Sequence, residues 1–256
     1  MTDTVLGAAP VRPAPFAPYH KWDRNFFLAL VAGVWAGILM GFGGDIRHHI
    51  QSNEAAYPWI VHVHAAAFVG WLVLFTTQVL LIRAKRPQLH YRLGASMMWL
   101  ALFMVIIGPA TAIYMQRQQF GTPDSDPAFV AIQFTDIIAF AGLVVAGYRA
   151  RGRSSAHKRL MLLSTIYISD AGFARWLGSD IGGALGHGFW AFLLSAYLMP
   201  QLLMLSLGVY DLVTRKRLYP AYVWGVAWAL GLQLTAAYLY IEAPFWKGVA
   251  THLIGH

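Results

Sequence analysis

Several ionisable side chains fall inside long apolar runs of a chain that is 58% hydrophobic and only 12% charged. A carboxylate or guanidinium at a lipid-facing midpoint costs about 2.5–3.5 kcal/mol on insertion scales, so such groups must face a protein interior and find partners. Asp136, Asp170 and Arg175 are of this kind. Taken as helix positions, Asp136 and Asp170 lie roughly 10–12 Å from one membrane face. Arg175 lies nearer that face. Together with His64 they predict a buried polar cluster, or a water-lined cavity, in the outer half of the bilayer. Two chemistries suit it: a proton relay through Asp136 and Asp170, or a cationic clamp by Arg175 on a cofactor's propionates. The plain alternative is a structural ion pair. Asp170 and Arg175 are five apart on one helix and stack less well than i, i+4 neighbours. Arg175 is therefore expected to meet Asp136 or an external group.

The ten His residues divide by position. His20, His252 and His256 fall in presumed tails, and His48 and His49 in a first external loop. His64 falls about six residues into an apolar run, roughly 9 Å deep. Its face continues through Phe68, Trp71, Phe75 and Gln78, whereas His62 points about 200° away. His187 opens a run on the same outer side. His90 and His157 open runs on the inner side, each within a similar pattern: His90-Tyr91-Arg92-Leu93 and His157-Lys158-Arg159-Leu160. Depth thus sorts four imidazoles into an outer pair, His64 and His187, and an inner pair, His90 and His157. Bis-imidazole ligation from different helices at matched depth is what a b-type haem needs. Interfacial anchoring of the same His residues is the plain alternative.

The elements that must position these residues are membrane spans. A hydrocarbon core of ~30 Å takes about 20 helical residues. The apolar runs predict seven helices: Phe26–Phe42, Trp59–Ile82, Leu93–Met115, Phe129–Tyr148, Leu160–Leu177, Phe189–Val213 and Tyr222–Ile241. Gly41–Gly44 is expected to close the first, and Pro109 and Pro200 to kink or break the third and sixth. The runs are continuously apolar, not alternating, which excludes a β-barrel. The expected fold is an all-α integral membrane protein, a bundle of seven transmembrane helices over residues 25–242. A loose tail, 1–24, precedes it and a tail, 243–256, follows. The N-terminal segment lacks an apolar h-region, so no cleaved signal peptide is expected.

Most of the 19 Lys and Arg residues fall in the N-terminal segment and in the linkers around residues 83–92, 149–159 and 215–217. Asp45, Glu54, Asp124, Asp126 and Asp180 occupy the alternate linkers. The positive-inside rule then places the N-terminus in the cytoplasm and the C-terminus outside. The basic residues form no single stripe, so the net charge of +8 does not indicate a nucleic-acid partner. The absence of Cys excludes disulfides, thiolate-ligated metals and thiol nucleophiles. No Lys occurs in the seventh run, which argues against a retinal protein.

The combination of His64 with Gln78, then His90-Tyr91-Arg92-Leu93-Gly94, then His157-Lys158-Arg159-Leu160-Met161 leading to Arg175 resembles a family of bacterial multi-pass membrane proteins of unknown function. The likeness covers roughly residues 60–178. More distantly it is similar to the two-haem b-type cytochromes of the transmembrane ascorbate-reductase and ferric-reductase kind. That resemblance implies haem b, with His64, His90 and His157 as ligands and Gln78 and Arg175 beside it; depth adds His187 as the fourth ligand, and the intramembrane carboxyls Asp136 and Asp170 are the further polar groups expected around the site. It implies electron transfer in the bacterial inner membrane, from a quinol or small reductant, as a membrane oxidoreductase. Asp170 and His187 lie outside the matched pattern. Two other readings stay open: a proton-coupled transporter with an outer polar cavity, and a non-catalytic accessory subunit of a larger respiratory or photosynthetic complex.

Overall fold

The computed structural model describes residues 16–52 and 56–255. Helices make up the fold, and no strand occurs among the described residues. They are α1 Asp23–Gln51, α2 Trp59–Arg83, α3 Pro87–Gln119, α4 Val130–Arg149, α5 Ser154–Tyr167, α6 Asp170–Phe173, α7 Ser179–Leu185, α8 Phe189–Arg215, α9 Pro220–Ala237 and α10 Pro244–Leu253. A 3-10 turn, Pro127–Phe129, leads into α4. π-helical turns at Ala174–Gly178 and Tyr238–Glu242 follow α6 and α9.

Six of these helices are long and apolar enough to cross a membrane: α1, α2, α3, α4 with its leading turn, α8, and α9 with its trailing turn. The outer surface is apolar, with Trp99 75%, Trp224 76% and Ile106 61% exposed. Water penalises such a surface and lipid does not. The chain is an all-α, multi-pass membrane protein.

The expected fifth span, Leu160–Leu177, is not one helix. α5 has 14 residues, or ~21 Å of rise, short of the ~30 Å core. The helix breaks at Ile168–Ser169, resumes as α6, and winds through the π turn into α7. Burial explains the difference. Every residue from Arg159 to Asp170 is buried, because α4, α8, α9 and α1 all pack around α5. A helix wrapped in protein need not be apolar. Ser164 and Thr165 donate to the Met161 carbonyl, and Ser169 to that of Ile166. Hydroxyls that bond back along a helix compete with its own ladder, and here they cluster at the break.

α1 lies against the broken segment. A Cβ on Gly41 would overlap the Gly172 carbonyl oxygen, and one on Gly172 would lie 2.7 Å from the Gly37 oxygen. Only glycine permits this backbone-to-backbone approach, the usual means of close packing where no hydrophobic force draws helices together. Centrally, Trp71 is fully buried, donates to Thr165 at 3.2 Å, and meets Phe140 edge to face.

Other expectations also change. Gly41–Gly44 does not close the first helix, which runs on to Gln51, so His48 and His49 sit on its last turn and not in a loop. Pro109 and Pro200 lie inside continuous helices. The segment after residue 243 is not a tail but carries α10, docked through Trp246, which donates to the Ala128 carbonyl at 2.9 Å. Of the expected N-terminal tail, Asp23 and Arg24 begin α1, while residues 1–15, and likewise Glu54 and His256, lie outside the described residues.

Candidate functional site

Asp136 comes from α4 and Asp170 from the first position of α6. Their carboxyls face one another closely enough to interact. Asp170 is buried, whereas Asp136 keeps some accessible surface. Tyr197 of α8 donates to Asp136 Oδ1 at 3.2 Å. The Tyr167 hydroxyl, at the end of α5, lies beside Asp136 without reaching full hydrogen-bond geometry. Both tyrosines are almost wholly buried. The break between α5 and α6 places Asp170 here: it ends one helix at Tyr167 and starts another three residues later. Both residues are thus aimed at the same carboxyl on α4.

Arg175 does not join this pair. It sits on the π turn, 44% exposed, with Nε 3.5 Å from Asp45 Oδ2. Nη1 donates to the Ala171 carbonyl, and the guanidinium lies over the Phe42 ring at 4.6 Å. Its partner is therefore a carboxylate toward the C-terminal end of α1. His64 stacks on Phe68 at 4.2 Å, and its Nδ1 is buried with no hydrogen-bond partner. An unpaired buried nitrogen marks a place where a proton, a water or a ligand is accommodated.

The inner histidines do meet. His90 and His157 have ring centroids 6.1 Å apart, nearly perpendicular. His157 Nδ1 faces the Gly147 carbonyl at 2.9 Å. With the Gln78 amide oriented to satisfy its neighbours, its nitrogen donates to His90 Nδ1 and its oxygen accepts from the Gly94 N–H at 2.9 Å. Both δ-nitrogens are thereby engaged, which fixes the rings and leaves the ε-nitrogens as the remaining positions. Two imidazoles on one metal place their donors about 4 Å apart, at about 2 Å per bond, and 6.1 Å between centroids allows that. The outer pair is not assembled. His187 is exposed on the turn between α7 and α8, flanked by Gly186 and Gly188 at positive φ, and no contact joins it to His64 among the described residues. No group of three or more His, Asp or Glu suited to a metal occurs among the described residues.

Sequence reasoning missed the densest polar cluster. At the basic end of the bundle, Arg159 is fully buried and grips Asp211 of α8 with two bonds, Nε to Oδ2 at 2.7 Å and Nη2 to Oδ1. Arg215 Nη2 bonds both oxygens of Asp23 at 2.8 Å. Lys158 Nζ and the Tyr210 hydroxyl also donate to Asp23, each at 2.7 Å. The segment before α1 closes over this cluster, with the Ala17 and Pro18 carbonyls accepting from Arg215 and Lys158 and Phe16 lying over Arg159. The available signal was Asp211, an acid four residues before Arg215 near the end of an apolar run.

Comparison with family models, with curated proteins and with solved structures finds no match for this chain.

Proposed function

We propose that the protein is a proton-coupled membrane transporter whose proton site is the Asp136–Asp170 pair. The observation that carries this reading is the juxtaposition of two interior carboxyls with two buried tyrosines at a broken helix. Two carboxylates in contact in an apolar setting share a proton, and gain or loss of that proton changes the charge of the site. Broken helices at interior depth, with their freed backbone groups turned toward a site, are a recurring device of transporters. The π turn after Asp170 is a second irregularity of the kind found at functional positions.

In this reading α5, α6 and the π turn form the fifth of seven crossings. The basic end faces the cytoplasm of a bacterial inner membrane, and Arg175 lies toward the outside. The buried Asp23, Arg159, Asp211 and Arg215 cluster ties α1, α5 and α8 together at the cytoplasmic end.

Protein in liposomes loaded with a pH-sensitive dye tests this. Substrate added outside should drive proton entry, and Asp170→Asn should abolish proton entry while leaving a folded protein. Proton entry undiminished in Asp170→Asn would refute the assignment.

A second reading is favoured by the His90–His157 contact. One haem b held by these two imidazoles would supply one-electron chemistry near the cytoplasmic face, with a quinol or small reductant as donor. The absorbance spectrum of the same preparation decides it: a Soret band lost in His157→Ala supports the haem, and a colourless protein from haem-replete cells rules it out.

A further inference from the structure

At the outer end a pocket of about 340 Å³ is lined by Met40, Gly41, Gly44, Asp45, His48, Arg175 and Trp176. Its volume is at the small end for ligand sites. Its two central charges are opposite in sign and both nearly half exposed: Asp45 at 48% and Arg175 at 44%. They are 3.5 Å apart, longer than a charge-assisted hydrogen bond of about 2.7–2.9 Å. An exposed ion pair of that length contributes about 0–1 kcal/mol, so it opens at little cost. The remaining walls include the Met40 side chain and the Trp176 ring. α1 is pinned to α6 by the Gly41–Gly172 contact, so the pocket floor is rigid backbone.

From this arrangement we infer that the pocket binds a small zwitterion, an α-amino acid with an apolar side chain. Its carboxylate pairs with Arg175, its ammonium with Asp45, and its side chain lies against Met40 and Trp176. A single-charge ligand fits less well. A carboxylate gains Arg175 but faces Asp45, and an amine gains Asp45 but faces Arg175. A zwitterion replaces one stretched ion pair by two shorter ones, beside His48, the third ionisable residue of the lining. Arg175 also links the pocket to the acid pair, since its Nη1 donates to the carbonyl of Ala171, the residue after Asp170, at 2.9 Å. Neutralising Arg175 with a bound carboxylate alters the field in which that pair holds its proton.

The inference deepens the transport reading by naming its substrate class, and it is tested by binding alone. The purified full chain in lipid nanodiscs is titrated by calorimetry with leucine, 4-methylpentanoate and 3-methylbutylamine. Leucine is expected to bind up to about fivefold more tightly than either single-charge analogue, the loss of one exposed ion pair being worth up to about that factor. Asp45→Asn should remove the preference for leucine over the carboxylate, and Arg175→Gln the preference over the amine. Both positions are exposed, and an unchanged melting temperature confirms that each variant is folded. Equal affinity for leucine and either analogue, or no binding of any of the three, overturns the inference. Leucine binding without leucine-driven proton entry leaves the inference standing and overturns the transport reading. Proton entry driven by some other solute, without leucine binding, does the converse.

Discussion

Replacing Asp211 by Asn is the perturbation whose size the structure fixes best. Arg159 and Asp211 are each 0% exposed, and Arg215, also facing Asp211, is 1% exposed. Around them three cations, Lys158, Arg159 and Arg215, share two carboxylates, Asp23 and Asp211. The substitution keeps the shape and one acceptor but leaves two buried guanidiniums and the half-buried Lys158 facing a single carboxylate. Arg159 retains its bond to the Ser155 carbonyl at 2.9 Å, which carries no compensating charge. Breaking a buried pair by removing one partner costs about 3–5 kcal/mol, because the other charge stays buried and uncompensated. For a chain of this size about 1 kcal/mol shifts the melting temperature by roughly 2–4 °C, so a fall of roughly 6–20 °C is expected. Thermal unfolding followed by tryptophan fluorescence in nanodiscs measures it. The double change Arg159→Met with Asp211→Leu removes both charges and should recover most of the loss. A single variant as stable as the parent, or a double variant no better than the single, would falsify the claim that this pair is dry.

Three further outcomes follow from the same geometry. Gly41→Ala drives a Cβ into the Gly172 carbonyl, a backbone atom that cannot rotate away; overpacking of this sort costs about 1–3 kcal/mol, read as a lower melting temperature, whereas Gly43→Ala, which meets nothing within 4 Å, should be close to neutral apart from helix propensity. The chain has no Cys, so single cysteines report topology cleanly: a membrane-impermeant maleimide applied to the outside of cells should label Asp124→Cys and spare Arg151→Cys, and the reverse pattern would invert the orientation. Asp170→Asn, finally, should lose substrate-driven proton entry at every external pH, and a pH profile matching the parent's would remove Asp170 from the proton site.

Composition and run length alone established an all-helical membrane protein. Burial of a helix in lipid demands a continuous apolar run, and six such runs are six helices. The seventh was visible but misread, because α5 is enclosed by other helices instead of lipid. Enclosure lets Ser164, Thr165 and Ser169 sit where a lipid-facing helix carries Leu, and the helix breaks at Ile168–Ser169, just before Asp170. The residues of the candidate site were legible one at a time, since an Asp in an apolar run declares that it has a partner. Which partner was not legible. Asp170 pairs with Asp136 across helices, and Arg175 turns outward to Asp45. The Asp23–Arg215 and Arg159–Asp211 pairs unite residues distant in sequence. Partner choice depends on the relative rotation and height of packed helices. That is set by close contacts such as Gly41 on Gly172, and a hydropathy pattern does not encode it.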